Sequence, residues 1–208
     1  MKNIFKLNYL LFAVLTLFVF TACEEDEAAP EEENEEEVIT DVTLVFTSDA
    51  GAVVTASAQD PDGEGVQELV VKDEIKLQSG TTYTLTFEVL NNLESPGEDI
   101  GEEIAEEDDE HQIFFAFSEG VFTDPIGNGN IDNASDPINY NDTDGNGNPL
   151  GLNTTWTAGD PTTAGSFTVR LQHQPDVKTA TSGANDGDTD FELQFRPVSY
   201  THLRAHET

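Results

Sequence analysis

Apolar and polar residues alternate with a period of two along most of this chain, and that rhythm predicts strands. Val42, Leu44 and Phe46 share one parity, and Val53–Ala58 forms a second extended run. Tyr83, Leu85, Phe87 and Val89 give the cleanest alternation. Ile75 with Leu77, Ile113 with Phe115 and Phe117, Phe167 with Val169 and Leu171, and Phe191 with Leu193 and Phe195 repeat it. Turn formers lie between the runs. Asp60-Pro-Asp-Gly-Glu-Gly65 is one, and Asp142-Thr-Asp-Gly-Asn-Gly-Asn148 is another. The second separates Ile138–Asn141 from Leu150–Thr157 and predicts a hairpin. Short strands at turn-marked intervals predict a mainly β fold, a single antiparallel β-sandwich of Ig-like type, over residues 38–197. Residues 122–136, rich in Gly, Asn and Asp, are the least regular part. One segment departs from the rhythm. Ser95-Pro-Gly-Glu98 has the spacing of a capping box with Pro96 at the first helical position, and Ile100 and Ile104 stand four apart. These predict a short acidic helix over Pro96–Asp109. Glu106–Glu110 oppose the dipole at its C-terminal end, which frays unless a cation comes from elsewhere.

The two ends read differently. Lys2 and Lys6 precede an apolar run, Leu7–Phe20, interrupted by Asn8 and Thr16, and the small residues Thr21 and Ala22 follow. The run is shorter than the roughly 20 residues of a spanning helix, so residues 1–22 predict a cleavable secretory signal. Phe20-Thr21-Ala22-Cys23 resembles a bacterial lipobox, with Phe20 where leucine is usual. That resemblance implies acylation of Cys23 and a lipid anchor in a membrane. Glu24–Glu37 is almost wholly polar and acidic, and with Cys23 predicts a disordered tether over residues 23–37. Its opening Glu24-Glu25-Asp26-Glu27 resembles the acidic export signal of Bacteroidota surface lipoproteins; a plain spacer explains it equally well. At the other end, residues 198–208 resemble a translated sequencing adapter. They are expected to be foreign to the fold, and with them His202, Arg204 and His206.

Charge narrows the partners. Asp and Glu number 42 against 8 Lys and Arg, for a formal net charge of −34. Nucleic acid and anionic lipid both need a basic footprint, so neither fits. Cations or a basic protein surface do. A single cysteine allows no internal disulfide, so the core must hold by burial.

The candidate chemistry is sparse. His111 shares the apolar parity of Ile113, Phe115 and Phe117, and His173 that of Phe167, Val169 and Leu171. One opens its run and the other closes its own. If those strands pair antiparallel, the two imidazoles meet at one end of the sheet, with Cβ atoms about 5 Å apart. Carboxylates lie close in sequence: Glu106–Glu110, among which Glu107 and Glu110 are singled out, and Asp176. Two imidazoles with one or two carboxylates suit a divalent cation such as zinc or copper. The bland alternative is a pair of hydrogen-bonded histidines at a sheet rim. Asp142, Asp144 and Asn146 occupy the first, third and fifth positions of a calcium-loop pattern, but Asn153 stands at the twelfth, where a bidentate Glu is needed. A hairpin turn explains them better. Tyr140 and Trp156 suit a cross-strand aromatic pair more than a sugar-stacking platform. No Gly-x-Ser-x-Gly elbow, phosphate loop or cysteine nucleophile occurs, so catalysis is not expected.

The stretch from Thr81-Thr-Tyr-Thr-Leu-Thr-Phe87 through the acidic segment to His111-Gln-Ile-Phe-Phe115 resembles a family of small Bacteroidota lipoproteins. The resemblance continues through Asp144-Gly-Asn-Gly-Asn-Pro-Leu-Gly151 and Val169-Arg-Leu-Gln-His-Gln-Pro175 and covers most of residues 39–195. Members are often catalogued under the type 1 periplasmic binding fold. That fold needs two lobes of alternating strands and helices, whereas this chain offers short strands and one helix. The resemblance implies an outer-membrane-anchored envelope lipoprotein, on its periplasmic or surface face, and carries no activity with it. Two roles follow for such a chain. One is a ligand- or metal-binding accessory protein, serving an outer-membrane transporter or another envelope protein. The other is a structural or adhesive surface module that binds protein or glycan.

Overall fold

The computed structural model describes residues 37–60, 62, 68–93 and 95–201. Residues 1–22, from which a secretory signal is expected, Cys23, the acidic run up to Glu36 and the residues His202, Arg204 and His206 lie outside the described residues. Among the described residues the chain is mainly β, with antiparallel sheets packed as a sandwich and one short helix.

In the larger sheet, β1 (Asp41–Ser48) lies between β2 (Val53–Gln59) and β5 (Thr82–Asn91), antiparallel to both. The other edge of β5 is shared. β9 (Asn153–Ala158) takes Thr82–Thr86, and the short β6 (Glu98–Asp99) takes Leu90 and Asn91. β3 (Val70–Val71) and β8 (Phe122–Asp124) complete the two ends of this sheet. In the smaller sheet, β10 (Phe167–His173) runs between β7 (His111–Phe117) and β11 (Asp188–Phe195), antiparallel to both. The inner faces meet through aromatic rings: Phe46 lies 6.2 Å from Phe167 and Phe87 lies 6.5 Å from Phe115, centre to centre. The period-two residues supply this core. Val42, Leu44, Phe46, Leu85, Ile113, Phe115, Phe167, Val169 and Leu171 are fully buried. Each is worth about 1.5–3 kcal/mol when withdrawn from water, and burial is the term a chain without a disulfide must rely on.

β7 has no strand on its outer edge, yet its backbone is paired there. Ile113 N–H donates to Leu150 O, Phe117 N–H to Asn128 O, and Phe115 O accepts from Asn130 and Ile131. The Asn130 side chain completes the series by accepting from Phe115 N–H at 2.9 Å. So close an approach depends on Gly129, with φ +96°, where an added Cβ would fall 2.1 Å from Phe115 O. The outward face of the sheet is covered as well. Arg170 and Gln172 donate to the carbonyls of Ala184 and Gly187, and Gln174 to those of Gly183 and Asp186.

Two expectations are corrected. The helix α1 covers only Ile100–Glu106, and Asp99 at its N-cap makes no side-chain capping bond. Glu98 and Asp99 are instead drawn into the ladder of β5, opposite Asn91 and Leu90. Ile100 and Ile104 are both buried, so the apolar stripe is where the sequence puts it. The hairpin around residue 145 has only one regular arm. Tyr140 and Thr143 form single bridges to Thr154 and Pro149; a few backbone bonds, such as Asn141 N–H to Asn153 O and Thr155 N–H to Asn139 O, join the arms, and side chains of Asn139, Asn141 and Asp142 add to them. Finally, β12 (Pro197–Tyr200) pairs parallel with β4 (Ile75–Gln78) and is bonded through Ser199 to Thr162. Residues 198–200 thus lie along the edge of β4.

Candidate metal centre

His111 and His173 face each other across the β7–β10 pairing, at the first position of one strand and the last of the other. Their rings lie 4.4 Å apart, centre to centre, and 10° from parallel. Both are buried because each sits on the inward parity of its strand, and the sheet rim closes over them. A carboxylate joins them that the sequence does not point to. Glu37 Oε1 stands 2.9 Å from His111 Nε2, with the Glu37 side chain 7% exposed. Glu37, His111 and His173 each offer one ligand atom, and those atoms all lie within 4.8 Å of one another. The last residue assigned to the tether therefore belongs to the domain. Nothing in the run Glu35-Glu36-Glu37 marks the third glutamate out, and only the fold brings it to the β7–β10 corner.

The expected carboxylates stand further off. Glu107, half-exposed, holds a carboxylate oxygen 4.0 Å from His111 Nδ1, and Glu110 Oε2 lies 3.4 Å from His173 Nε2. Asp176 occupies the turn after β10 with φ 60° and is not one of the three clustered groups. Asp190, which the sequence reading did not single out, is delivered by a bulge. Leu171 faces Phe191 and Gln172 faces Thr189, so the register shifts at Asp190.

The electrostatics follow from these contacts. Burial by itself lowers the His111 pKa, but the Glu37 carboxylate, the charge of Asp190 and the Glu107 carbonyl outweigh it and hold it above the usual imidazole value. Burial likewise favours the neutral form of Glu37, yet its contact with His111 prevails and keeps its carboxyl below the usual range. His111 Nδ1 lies 3.2 Å from Glu107 O, and a carbonyl can only accept, so Nδ1 carries a proton and Nε2 is the nitrogen turned to Glu37. That contact is short but off the angles of a hydrogen bond. His111 Nε2 and Glu37 Oε2 are both buried without a hydrogen-bond partner. The set can hold a metal ion. Since the rings are nearly parallel, their lone pairs run side by side, and an ion about 2 Å from each nitrogen requires both rings to turn inward.

The calcium-loop residues are engaged otherwise. Asp144 Oδ1 accepts from the backbone of Asn146 and Asn148, and Oδ2 accepts from Asn148 Nδ2 and faces Lys178 Nζ at 3.3 Å. Asp142 accepts from Gly151 and Asn153 backbone N–H groups at 2.9 and 2.8 Å, and Asn146 is exposed. The cation at this loop is thus the ammonium of Lys178. It also donates to Asp108 O just beyond α1, and so supplies the positive charge that the acidic helix end lacks in its own sequence. Trp156 is fully buried among Phe115, Phe117, Phe122 and Phe167, so it stacks in the core and offers no platform to a sugar. No family model, no curated protein and no solved structure matches this chain.

Proposed function

We propose that this chain is an envelope lipoprotein, anchored through acylated Cys23, that binds a zinc or copper ion on Glu37, His111 and His173. Its role is that of an accessory protein to an outer-membrane transporter or another envelope component. The observation that carries the metal reading is the clustering of one ligand atom each from Glu37, His111 and His173 within 4.8 Å of one another, with His111 Nε2 and Glu37 Oε2 buried and outside hydrogen-bond geometry. Buried polar atoms outside good hydrogen bonds cost free energy, and one ion bound among the three side chains would offset that cost. Two nitrogens and an oxygen are the donor set that zinc and copper favour; calcium favours oxygen alone.

Thermal melts of the full chain with zinc, copper and calcium test this. Metal at about a hundredfold over its Kd adds about 2.7 kcal/mol to the folded state. For a domain of this size that raises Tm by about 5–10 °C. The rise should appear with zinc or copper, disappear on adding a chelator, and be lost in both His111→Ala and His173→Ala. A Tm indifferent to every ion would leave the structural or adhesive module as the better account. The anchor has its own test. Cys23→Ala should stop incorporation of labelled palmitate and move the protein out of the membrane fraction; unchanged labelling would remove the lipoprotein reading.

A further inference from the structure

We infer that the metal centre is also a clasp: the ion fastens the segment by which the chain enters the sandwich. This rests on the metal reading above and adds to it a consequence for the backbone of residues 37–40.

The ligands are distributed unevenly between rigid and terminal backbone. His111 and His173 sit in paired strands, each held by ladder bonds and by the core beneath them. Glu37 sits four residues before β1, where no strand partner holds the chain. Regular fastening begins only at Thr40. Its N–H and hydroxyl both donate to Leu90 O, and its hydroxyl accepts from Asn92 N–H. Ile39 is buried beside it, and Val38 is half-buried. Upstream of Thr40, Ile39 packs into the core, and beyond it Glu37 contacts His111 without hydrogen-bond geometry.

A bound ion changes this asymmetry. Ligand atoms spread over as much as 4.8 Å must close to about 3.3 Å around one tetrahedral ion. The histidines can meet it only by turning their rings, since their backbones are fixed in the sheet. Glu37 can move as a whole, so the ion draws the entering chain down onto the β7–β10 corner. The acidic sequence Glu24–Glu37 ends at this residue. Metal occupancy therefore sets how firmly the entering chain is held at Glu37, upstream of the anchors at Ile39 and Thr40.

Hydrogen exchange on the full chain in detergent micelles, with and without zinc, reads this directly. Zinc should slow exchange at the amides of Val38 and Ile39 at least tenfold, while the amides of β7 and β10 change less. In Glu37→Gln the two histidines remain, so zinc should still raise Tm by a smaller amount, but the slowing at Val38 and Ile39 should vanish. If zinc raises Tm through both histidines yet leaves Val38 and Ile39 exchanging at their metal-free rate, the clasp is overturned and the metal site stands. Slowing that persists in Glu37→Gln overturns the clasp in the same way. If zinc neither raises Tm nor alters exchange in the unaltered chain, the clasp and the metal reading fall together.

Discussion

Replacing Lys178 with methionine should destabilise the domain by about 3–5 kcal/mol, the range for removing one partner of an enclosed ion pair. The Lys178 and Asp144 side chains are 1% and 0% exposed, so neither charge has water to turn to. Burial pushes the Lys178 pKa down more than Asp144 pulls it up. The pair therefore adds little over an apolar substitute, and the cost arises in breaking it. Methionine matches the stem, and it leaves the Asp144 carboxylate without its counter-charge and Asp108 O without its donor. Asp144 itself is buried, which raises its pKa, but bonds from Asn148 and Asn146 and the Lys178 charge bring it below the usual carboxylate value. A depressed carboxylate stabilises the fold above its unfolded pKa of about 3.9 and loses that contribution as pH falls through the folded value. Urea titrations at pH 7 and in steps below pH 4 should show the wild type losing stability in the acid range. Lys178→Met should lose less there, having less to give up. A midpoint for Lys178→Met within 0.5 kcal/mol of wild type at pH 7 would contradict this account.

Trp156→Ala should cost a comparable amount, about 3–5 kcal/mol, the range for emptying a buried aromatic site. The indole touches four phenyl rings from β7, β8 and β10, with ring centres 4.7–5.5 Å away. Its Nε1 donates to Thr154 Oγ1 at 2.7 Å, and Thr154 is itself fully buried. Truncation therefore opens a cavity and orphans a hydroxyl. Trp156→Phe separates the two losses, refilling most of the space while leaving Thr154 unpaired, and should cost about 1–3 kcal/mol. Because Trp156 is the chain's single tryptophan, unfolding of both variants has to be followed by far-ultraviolet circular dichroism. Equal stabilities for the alanine and phenylalanine forms would show that packing around the indole contributes little.

The strands were legible because burial on one face leaves a period of two. Val42, Leu44 and Phe46 could be placed on the inside of β1 without knowing their partners. The meeting of His111 and His173 needed one assumption more, that their strands pair antiparallel, and parity then aligned them. Local signals failed where a tertiary partner offered the backbone something better. Ser95 and Glu98 have the spacing of a cap, yet pairing with Leu90 and Asn91 claimed Glu98 and Asp99. Contacts across long sequence separations left no local trace. Glu37 is one glutamate in a row of acids, and Lys178 reaches Asp108 and Asp144 over 70 and 34 positions. The need for a cation at the helix end could be read from its charge, but its source could not.

Loops that stand in for a strand along β7 have a consequence for neighbouring copies of the chain. A three-stranded sheet ordinarily offers two templates for recruiting a foreign strand, and here one is already used up. The remaining one, β11, pairs only with β10 among the described residues and presents exposed Asp188 and Glu192. Two molecules aligned along it would set like carboxylates about 5 Å apart, with a net charge of −34 on each chain behind them. Like-charge repulsion would then hold such molecules apart before their backbones could zip together.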